Sequence, residues 1–217
     1  KEDFLADNTP INFLKVRGGW GRLGNQNVPI NQQTFNSGAG LGYDFGGSLY
    51  SGTTIGSFID PTLGWEITDE TSIGLDFKVL QNKLSGSFDW YDKNTSNVIL
   101  NVTPPITVGT GSTPAHAGEI SNTGFEFSLR WDDMINDEIK YWIGANYSNN
   151  KNEVSNVFNP LAIRQNGGFI NNGQFTKRLE VGQPLGSFYL FEVAGYDANG
   201  NFTYLDKNGA ATANPVE

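Results

Sequence analysis

The sequence contains no cysteine, so neither disulfides nor thiolate metal sites are open to it. One histidine and one methionine in 217 residues leave little for imidazole catalysis or metal ligation. No run of about 18 apolar residues is present, the length a membrane-spanning helix needs, and mean hydropathy is −0.38. Basic residues are scarce too: 14 Lys and Arg stand against 23 Asp and Glu, for a formal charge of −9 and a pI near 4.6. Phosphate binding needs a basic surface, so nucleic acid is not expected as a partner. No hydrophobic stretch of the signal-peptide kind follows Lys1-Glu2-Asp3; the expectation is a mature chain or a piece of something longer. None of these shortages bears on membrane β-strands, whose two faces average out in a hydropathy window.

What the chain has in quantity is glycine (27 residues), aromatic side chains (13%) and period-2 patterning. Leu14, Val16, Gly18 and Trp20 alternate with Lys15 and Arg17 over 11–20. Ile73, Leu75, Phe77 and Val79 alternate with Asp76 and Lys78 over 71–80. Leu84, Gly86, Phe88 and Trp90 open a strand at 83–95, set against Ser85, Ser87 and Asp89. Phe125, Phe127, Leu129 and Trp131 oppose Glu126, Ser128 and Arg130 over 123–131, and Ile139, Tyr141, Ile143, Ala145 and Tyr147 mark 139–149. Weaker strand patterns lie near Leu49 to Phe58 and Gly186 to Tyr196.

Connection lengths alternate. Short turns follow Leu80 and Trp131, whereas 21–70, 96–122 and 150–185 read as long polar loops. Loops beyond about 12–15 residues are uncommon in compact domains, but tight turns on one side and long loops on the other describe an outer-membrane barrel. Trp20, Trp90 and Tyr91 would then sit at an outer aromatic belt, with Trp131, Tyr141 and Trp142 at an inner one. Alternation alone fits a soluble β-sandwich as well, so the pattern leaves the two open.

Five ordered stretches carry a resemblance: "INFLKVRGGWGRLGNQNVP", "DPTLGWEITDETSIGLDFKVLQNKLSGSFDWYDKNTSNVIL", "GEISNTGFEFSLRW", "YWIGANYSNNKNEV" and "GQPLGSFYLFEVAGY". In this order they resemble blocks of the SusC/RagA-type TonB-dependent outer-membrane transporters of the Bacteroidetes. The resemblance covers roughly Ile11 to Tyr196 and matches part of the carboxy-terminal half of that family's barrel. It implies an all-β, antiparallel transmembrane barrel of 22 strands with long extracellular loops, incomplete here, because five to seven strands cannot close a barrel. The amino-terminal plug and the closing strands have no counterpart in the sequence. It further implies import of a glycan or peptide with a SusD-like surface lipoprotein as lid and TonB engaging the plug, in the cell outer membrane, with no catalysis and no cofactor. Ile73, Leu75, Phe77, Leu84, Phe88 and Trp90 would face lipid; Arg17, Asp76, Asp89, Glu126, Arg130 and Asn146 would face the plugged lumen. The alternative is a secreted carbohydrate-binding β-sandwich or adhesin module, with Phe77, Phe88, Phe127 and Ile143 in a dry core.

Residues that could carry chemistry have plainer readings. His116, in "GTGSTPAHAGE", has no nucleophile placed beside it and reads as a solvated loop histidine. The Asp-x-Asn-Gly runs at Asp197–Gly200 and Asp206–Gly209 open like calcium loops but lack the later ligands, so tight turns around Phe202–Leu205 are expected. Gly38 to Gly52 reads as a flexible surface loop rather than a phosphate cradle, although Tyr43, Asp44 and Phe45 could together contact a sugar. Asn-x-Ser/Thr triplets at Asn94, Asn101, Asn146 and Asn201 follow from an Asn-rich composition. Asp132 and Asp133 suit a capping or solvated turn. Ligand-binding residues are not assignable from the sequence.

Overall fold

The computed structural model describes residues 10–28, 37–55, 62–102, 104–109, 111–136, 138–160, 164–169 and 175–215. The chain forms two compact units, residues 1–162 with 180–185, and residues 163–179 with 186–217.

In the first unit, β1 (Ile11–Asn25), β4 (Glu66–Val79), β5 (Leu84–Val102), β6 (Thr113–Ile135) and β7 (Ile139–Val157) form one antiparallel sheet in the order β1-β4-β5-β6-β7. A separate hairpin, β2 (Ser37–Phe45) and β3 (Ser48–Ile55), lies in the chain between β1 and β4. The β4–β5 turn is tight because Leu80, Gln81 and Asn82 all take positive φ, and the Lys83 amide donates to the Leu80 carbonyl at 3.1 Å. No α-helix occurs among the described residues; a 3-10 turn spans Ile106–Val108.

The registers line the side chains up in rows. One face carries Gly18–Ile73–Trp90–Phe125–Asn149, Val16–Leu75–Phe88–Phe127–Tyr147 and Leu14–Phe77–Gly86–Leu129–Ala145, then Val79–Leu84–Trp131–Ile143. Neighbours in sequence point the other way, so the opposite face carries Arg17–Gly74–Asp89–Glu126–Ser148, Lys15–Asp76–Ser87–Ser128–Asn146 and Phe13–Lys78–Ser85–Arg130–Gly144. One face is an apolar band and the other is charged and polar.

The band is not a covered core. Val16 is 71% exposed, Ile143 66% and Ile73 55%. These exposures overturn the sandwich alternative, which needs Phe88 and Ile143 dry. Among the described residues of this unit the buried aliphatic side chains include Val98, Val102, Ala115, Ala117, Ile120 and Val154, all in the far halves of β5, β6 and β7. Across the sheet the apolar band stops at one level, the row Trp20–Thr71–Asp92–Thr123–Lys151, and the next row is Arg22–Asp69–Asn94–Ser121–Glu153.

That stop explains the strand ends. Sequence patterning places strands at 11–20, 71–80, 83–95, 123–131 and 139–149, yet β6 runs for 23 residues and β7 for 19. Beyond the stop row the outer face turns polar and the hydrophobic period vanishes, while the backbone ladder continues. The 96–122 loop therefore shrinks to the connection between Val102 and Thr113. The 21–70 loop contains the end of β1, the β2–β3 hairpin and the start of β4; its residues 29–36 and 56–61 lie outside the described ones. The 150–185 loop contains the end of β7 and the strands β8 (Arg164–Phe169) and β9 (Phe175–Arg178), with 161–163 and 170–174 outside the described residues. The pattern at Leu49–Phe58 corresponds to β3, residues 56–58 being outside the described ones.

The Gly-rich run is an ordered hairpin rather than a flexible loop. Gly46 and Gly47 take φ of 63° and 83°, the conformation of a two-residue type I′ turn. The second unit holds the β8–β9 hairpin and a three-stranded sheet of β10 (Val193–Tyr196), β11 (Phe202–Leu205) and β12 (Ala211–Thr212). Of the weak pattern at Gly186–Tyr196, only its end is a strand.

Candidate functional site

The polar face of the five-stranded sheet carries a network of ionic side chains. Arg17 on β1 donates through Nε and Nη2 to both Asp76 carboxylate oxygens at 3.0 Å, and through Nη2 to Asp89 at 3.0 Å. Asp89 is on β5, two strands away, and the residue between is Gly74 on β4. A Cβ at Gly74 would fall 2.5 Å from Asp89 Oδ1 and 2.7 Å from Arg17 Cζ, so glycine is what lets the guanidinium cross. One row along, Ser87 and Ser128 share a hydroxyl hydrogen bond of 2.7 Å.

Towards the far end amides join the Lys93–Glu70 ion pair (3.5 Å) on this face. Tyr91 lies over Gly124 and donates to Asn150 Oδ1 at 3.2 Å, and Asn152 donates to Asn122 Oδ1 at 2.8 Å. Asn152 in turn accepts the Leu185 amide at 2.7 Å, and Val154 exchanges backbone hydrogen bonds with Gly182 and Gln183, both at 2.9 Å. These contacts fix the segment 180–185 to the outer half of β7.

At the opposite end of the same face, Arg130 donates to Asp132 through Nε and Nη2 and lies 4.6 Å over the Trp142 ring. A hollow of about 460 Å³ opens here, lined by Lys78, Ser85, Ser128, Arg130, Trp142 and Asn146 among others.

Arg17, Asp76, Asp89, Glu126, Arg130 and Asn146 thus fall on one face, and Ile73, Leu75, Phe77, Leu84, Phe88 and Trp90 on the other. Two belt residues fall on the wrong side. Tyr91 and Trp142 follow Trp90 and Tyr141 directly, so strict alternation turns them to the polar face, where they meet Asn150 and Arg130.

His116 is not a solvated loop histidine. It lies in β6, accepts the Gly64 amide at Nε2 (3.0 Å) and faces the Asn97 carbonyl with Nδ1 (2.9 Å). These partners place the proton on Nδ1 and make the ring a strut between the segment before β4 and the β5–β6 hairpin. Glu66 plays a similar part, accepting from Asn25 Nδ2 at 2.8 Å and from the Ile99 amide at 2.9 Å. Both were hidden in sequence because their partners come from three different strands or connections.

Asp197 and Asp206 close tight turns. Asp197 Oδ1 accepts the amides of Asn199 and Asn201 at 2.8 Å and its Oδ2 accepts Asn201 Nδ2 at 3.0 Å. Asp206 Oδ1 accepts the amides of Asn208 and Ala210 at 2.8 Å. Hydrogen bonds from the Asn201 side chain and amide hold the Asp197 carboxyl below its ordinary range, and those from the Ala210 and Asn208 amides do the same for Asp206. No cluster of three or more potential metal-ligating side chains occurs among the described residues.

On the β2–β3 hairpin, Tyr43 and Phe45 are neighbours on one face with ring centroids 4.7 Å apart. Asp44 points the other way and caps the Gly47 amide at 2.8 Å, so the acid expected beside the two rings is engaged in the turn. Asp132 and Asp133 are engaged as well, with Arg130 and with Lys83 (2.8 Å), and they end β6 rather than forming a free turn.

A long antiparallel sheet with a bare apolar band on one face and ion pairs on the other defines a stretch of membrane β-barrel wall. A family model described as TonB dependent receptor-like, beta-barrel, matches residues 6–215, and the chain belongs to that family. TonB-dependent receptor P3 of Formosa agariphila is 29% identical over 93% of this chain and 20% of its own length. TonB-dependent receptor SusC of Bacteroides thetaiotaomicron is 28% identical over 98% of the chain and 22% of its own length. The chain therefore spans about a fifth of these relatives. The solved RagAB peptide transporter shares the fold, with a TM-score of 0.80 at 23% identity over 99% of this chain and 23% of the transporter chain. The chain is a stretch of TonB-dependent receptor-like barrel, similar in sequence to SusC and in fold to the RagAB transporter.

Proposed function

We propose that the complete protein imports a glycan or peptide across the outer membrane, with TonB supplying the drive and a SusD-like lipoprotein closing the outer side. The observation that carries this reading is the apolar band, exposed at Val16, Ile73, Phe88, Ile143 and Tyr147, half-buried along β6, and ending at one level across five strands. From Ile139 through Tyr147 it has the span that a tilted strand needs to cross the apolar layer, about nine to eleven residues. A soluble chain that exposed such a band would aggregate; against lipid the same exposure is stabilising.

In this reading the strand halves beyond the stop row stand outside the membrane. Their buried residues Val98, Ala117, Ile120 and Val154 give that part a core of its own. The polar face lines the lumen, and the outer extensions with the β2–β3 hairpin contact lid and cargo. Transport, rather than any covalent step, is the activity.

The test is a pair of substitutions in the full-length protein. Leu75→Arg places a charge in the lipid-facing band and is expected to cost about 2–4 kcal/mol near the midplane, lowering the amount of assembled barrel in the outer membrane. Asp76→Ala, on the lumen face, should assemble at the wild-type level. Equal effects at the two positions would contradict the proposal.

A further inference from the structure

Both feet of the connection that carries the β2–β3 hairpin come down on one small cluster. On the β1 side, Asn25 Nδ2 donates to Glu66 Oε2 at 2.8 Å, and Asn25 Oδ1 accepts the Asn27 amide at 3.1 Å. On the β4 side, the Gly64 amide donates to His116 Nε2 at 3.0 Å, and the Trp65 ring beside it lies over Gly24. Glu66 and His116 are tied in turn to the same stretch of β5. Glu66 Oε1 accepts the amide of Ile99, the residue paired with His116, and His116 Nδ1 meets the Asn97 carbonyl at 2.9 Å. Asn97 sits in a bulge: the β5–β6 register shifts between Thr95 and Val98, and Asn97 takes φ of 57°. Such a bulge takes a residue out of the ladder, which frees its carbonyl for the ring. The ring is half-buried, open enough to exchange a proton with water.

We infer that His116 is a proton-operated latch on the loop bearing the β2–β3 hairpin. With Nδ1 donating to a carbonyl, Nε2 accepts the Gly64 amide only while the ring is neutral. A proton on Nε2 turns the acceptor into a donor and sets two N–H groups against each other, so the Gly64 foot lets go. Histidine is the side chain that changes charge between pH 5 and 8. The foot is therefore held towards the upper end of that range and released towards the lower. Few other charged groups bear on the ring. Residues 62–65, residues 96–102 of β5 and residues 158–160, which bond to Ala117, carry none. β4 brings the Glu66 carboxylate, and β6 itself brings Glu119, three residues along. Glu66 is the rival trigger, because it holds the other foot. The latch needs only this geometry; under the barrel reading the loop stands outside the membrane and answers to the external medium.

The test is hydrogen exchange of the full-length protein in detergent, read by mass spectrometry on peptides covering 62–65, at about pH 8 and about pH 5. Wild type is compared with His116→Gln, whose side chain does not titrate. Dividing the wild-type rate by the variant rate at each pH removes the intrinsic pH dependence of exchange. The expected result is a ratio at 62–65 that rises about three- to tenfold on acidification, the scale of one lost hydrogen bond. The ratio for 73–79 in β4 should stay constant. Only the change in the ratio is read, so the expectation holds whether or not glutamine itself accepts the Gly64 amide. The same rise should persist when both proteins also carry Glu66→Gln. A ratio at 62–65 that does not change with pH, or a rise that vanishes with Glu66→Gln, would overturn the latch. If His116→Gln fails to assemble, His116→Asn takes its place with the same outcomes.

Discussion

At the scale of single residues, the polar face is organised by what glycine leaves out. Arg17 reaches carboxylates on two other strands only because Gly74 has no side chain where the guanidinium passes. Gly74→Ala should therefore be an overpacking change, costing about 1–3 kcal/mol. The cost should shrink in an Arg17→Ser background, where the crossing side chain is gone. Urea unfolding of the full-length protein in detergent measures all four corners of that cycle; strictly additive costs would contradict the crossing. Nothing in the sequence marks Gly74 for this, since Arg17 and Asp76 lie 59 positions apart and Arg17 and Asp89 lie 72 apart. The histidine strut has the same character. His116→Ala removes hydrogen bonds worth about 0.5–1.5 kcal/mol each and should raise protease cleavage around Thr62–Trp65 while leaving assembly unchanged. Unaltered cleavage there would argue that the strut holds nothing.

At the scale of elements, legibility follows the apolar band. Where one face is apolar and the other polar, as at Ile73, Leu75 and Phe77, alternation in the sequence places the strand and separates its faces. Beyond Thr71, Asp92, Thr123 and Lys151 both faces carry polar residues, and the same strands read as loops. What holds them there is backbone pairing and a small core that no periodicity announces. Val154, 1% exposed, is a test of that core: Val154→Ala should cost about 1.5–3 kcal/mol, seen as earlier unfolding of the outer strand halves by hydrogen exchange. The turns at Asp197 and Asp206 were legible because Asn-Gly carries its own geometry. Their carboxyls are depressed in the folded state, so their contribution is complete above the ordinary carboxylate range and is lost as pH falls through the lower folded values. Cleavage within 193–212 by an acid-active protease should stay flat from pH 6 down to about 4 and rise only below it. A rise beginning above pH 5 would contradict the turn geometry.

At the scale of the whole molecule, the acidic totals and low hydropathy agree with an exposed apolar band because only one face of each strand, over half of its length, is apolar. In the proposed reading the remainder is lumen wall and outer extension, and its outward faces are polar. The central claim is that the band faces a bilayer and ends at the Thr71 row. The most direct measurement is a nitroxide scan of β4 in the full-length protein in lipid bilayers, comparing accessibility to oxygen with accessibility to a polar nickel complex from Ile67 to Val79. The account predicts oxygen maxima at Ile73, Leu75, Phe77 and Val79, minima at Gly74, Asp76 and Lys78, and loss of the oxygen preference from Thr71 to Ile67. Alternation that continues undiminished through Ile67, or that is absent at Leu75 and Asp76, would contradict it.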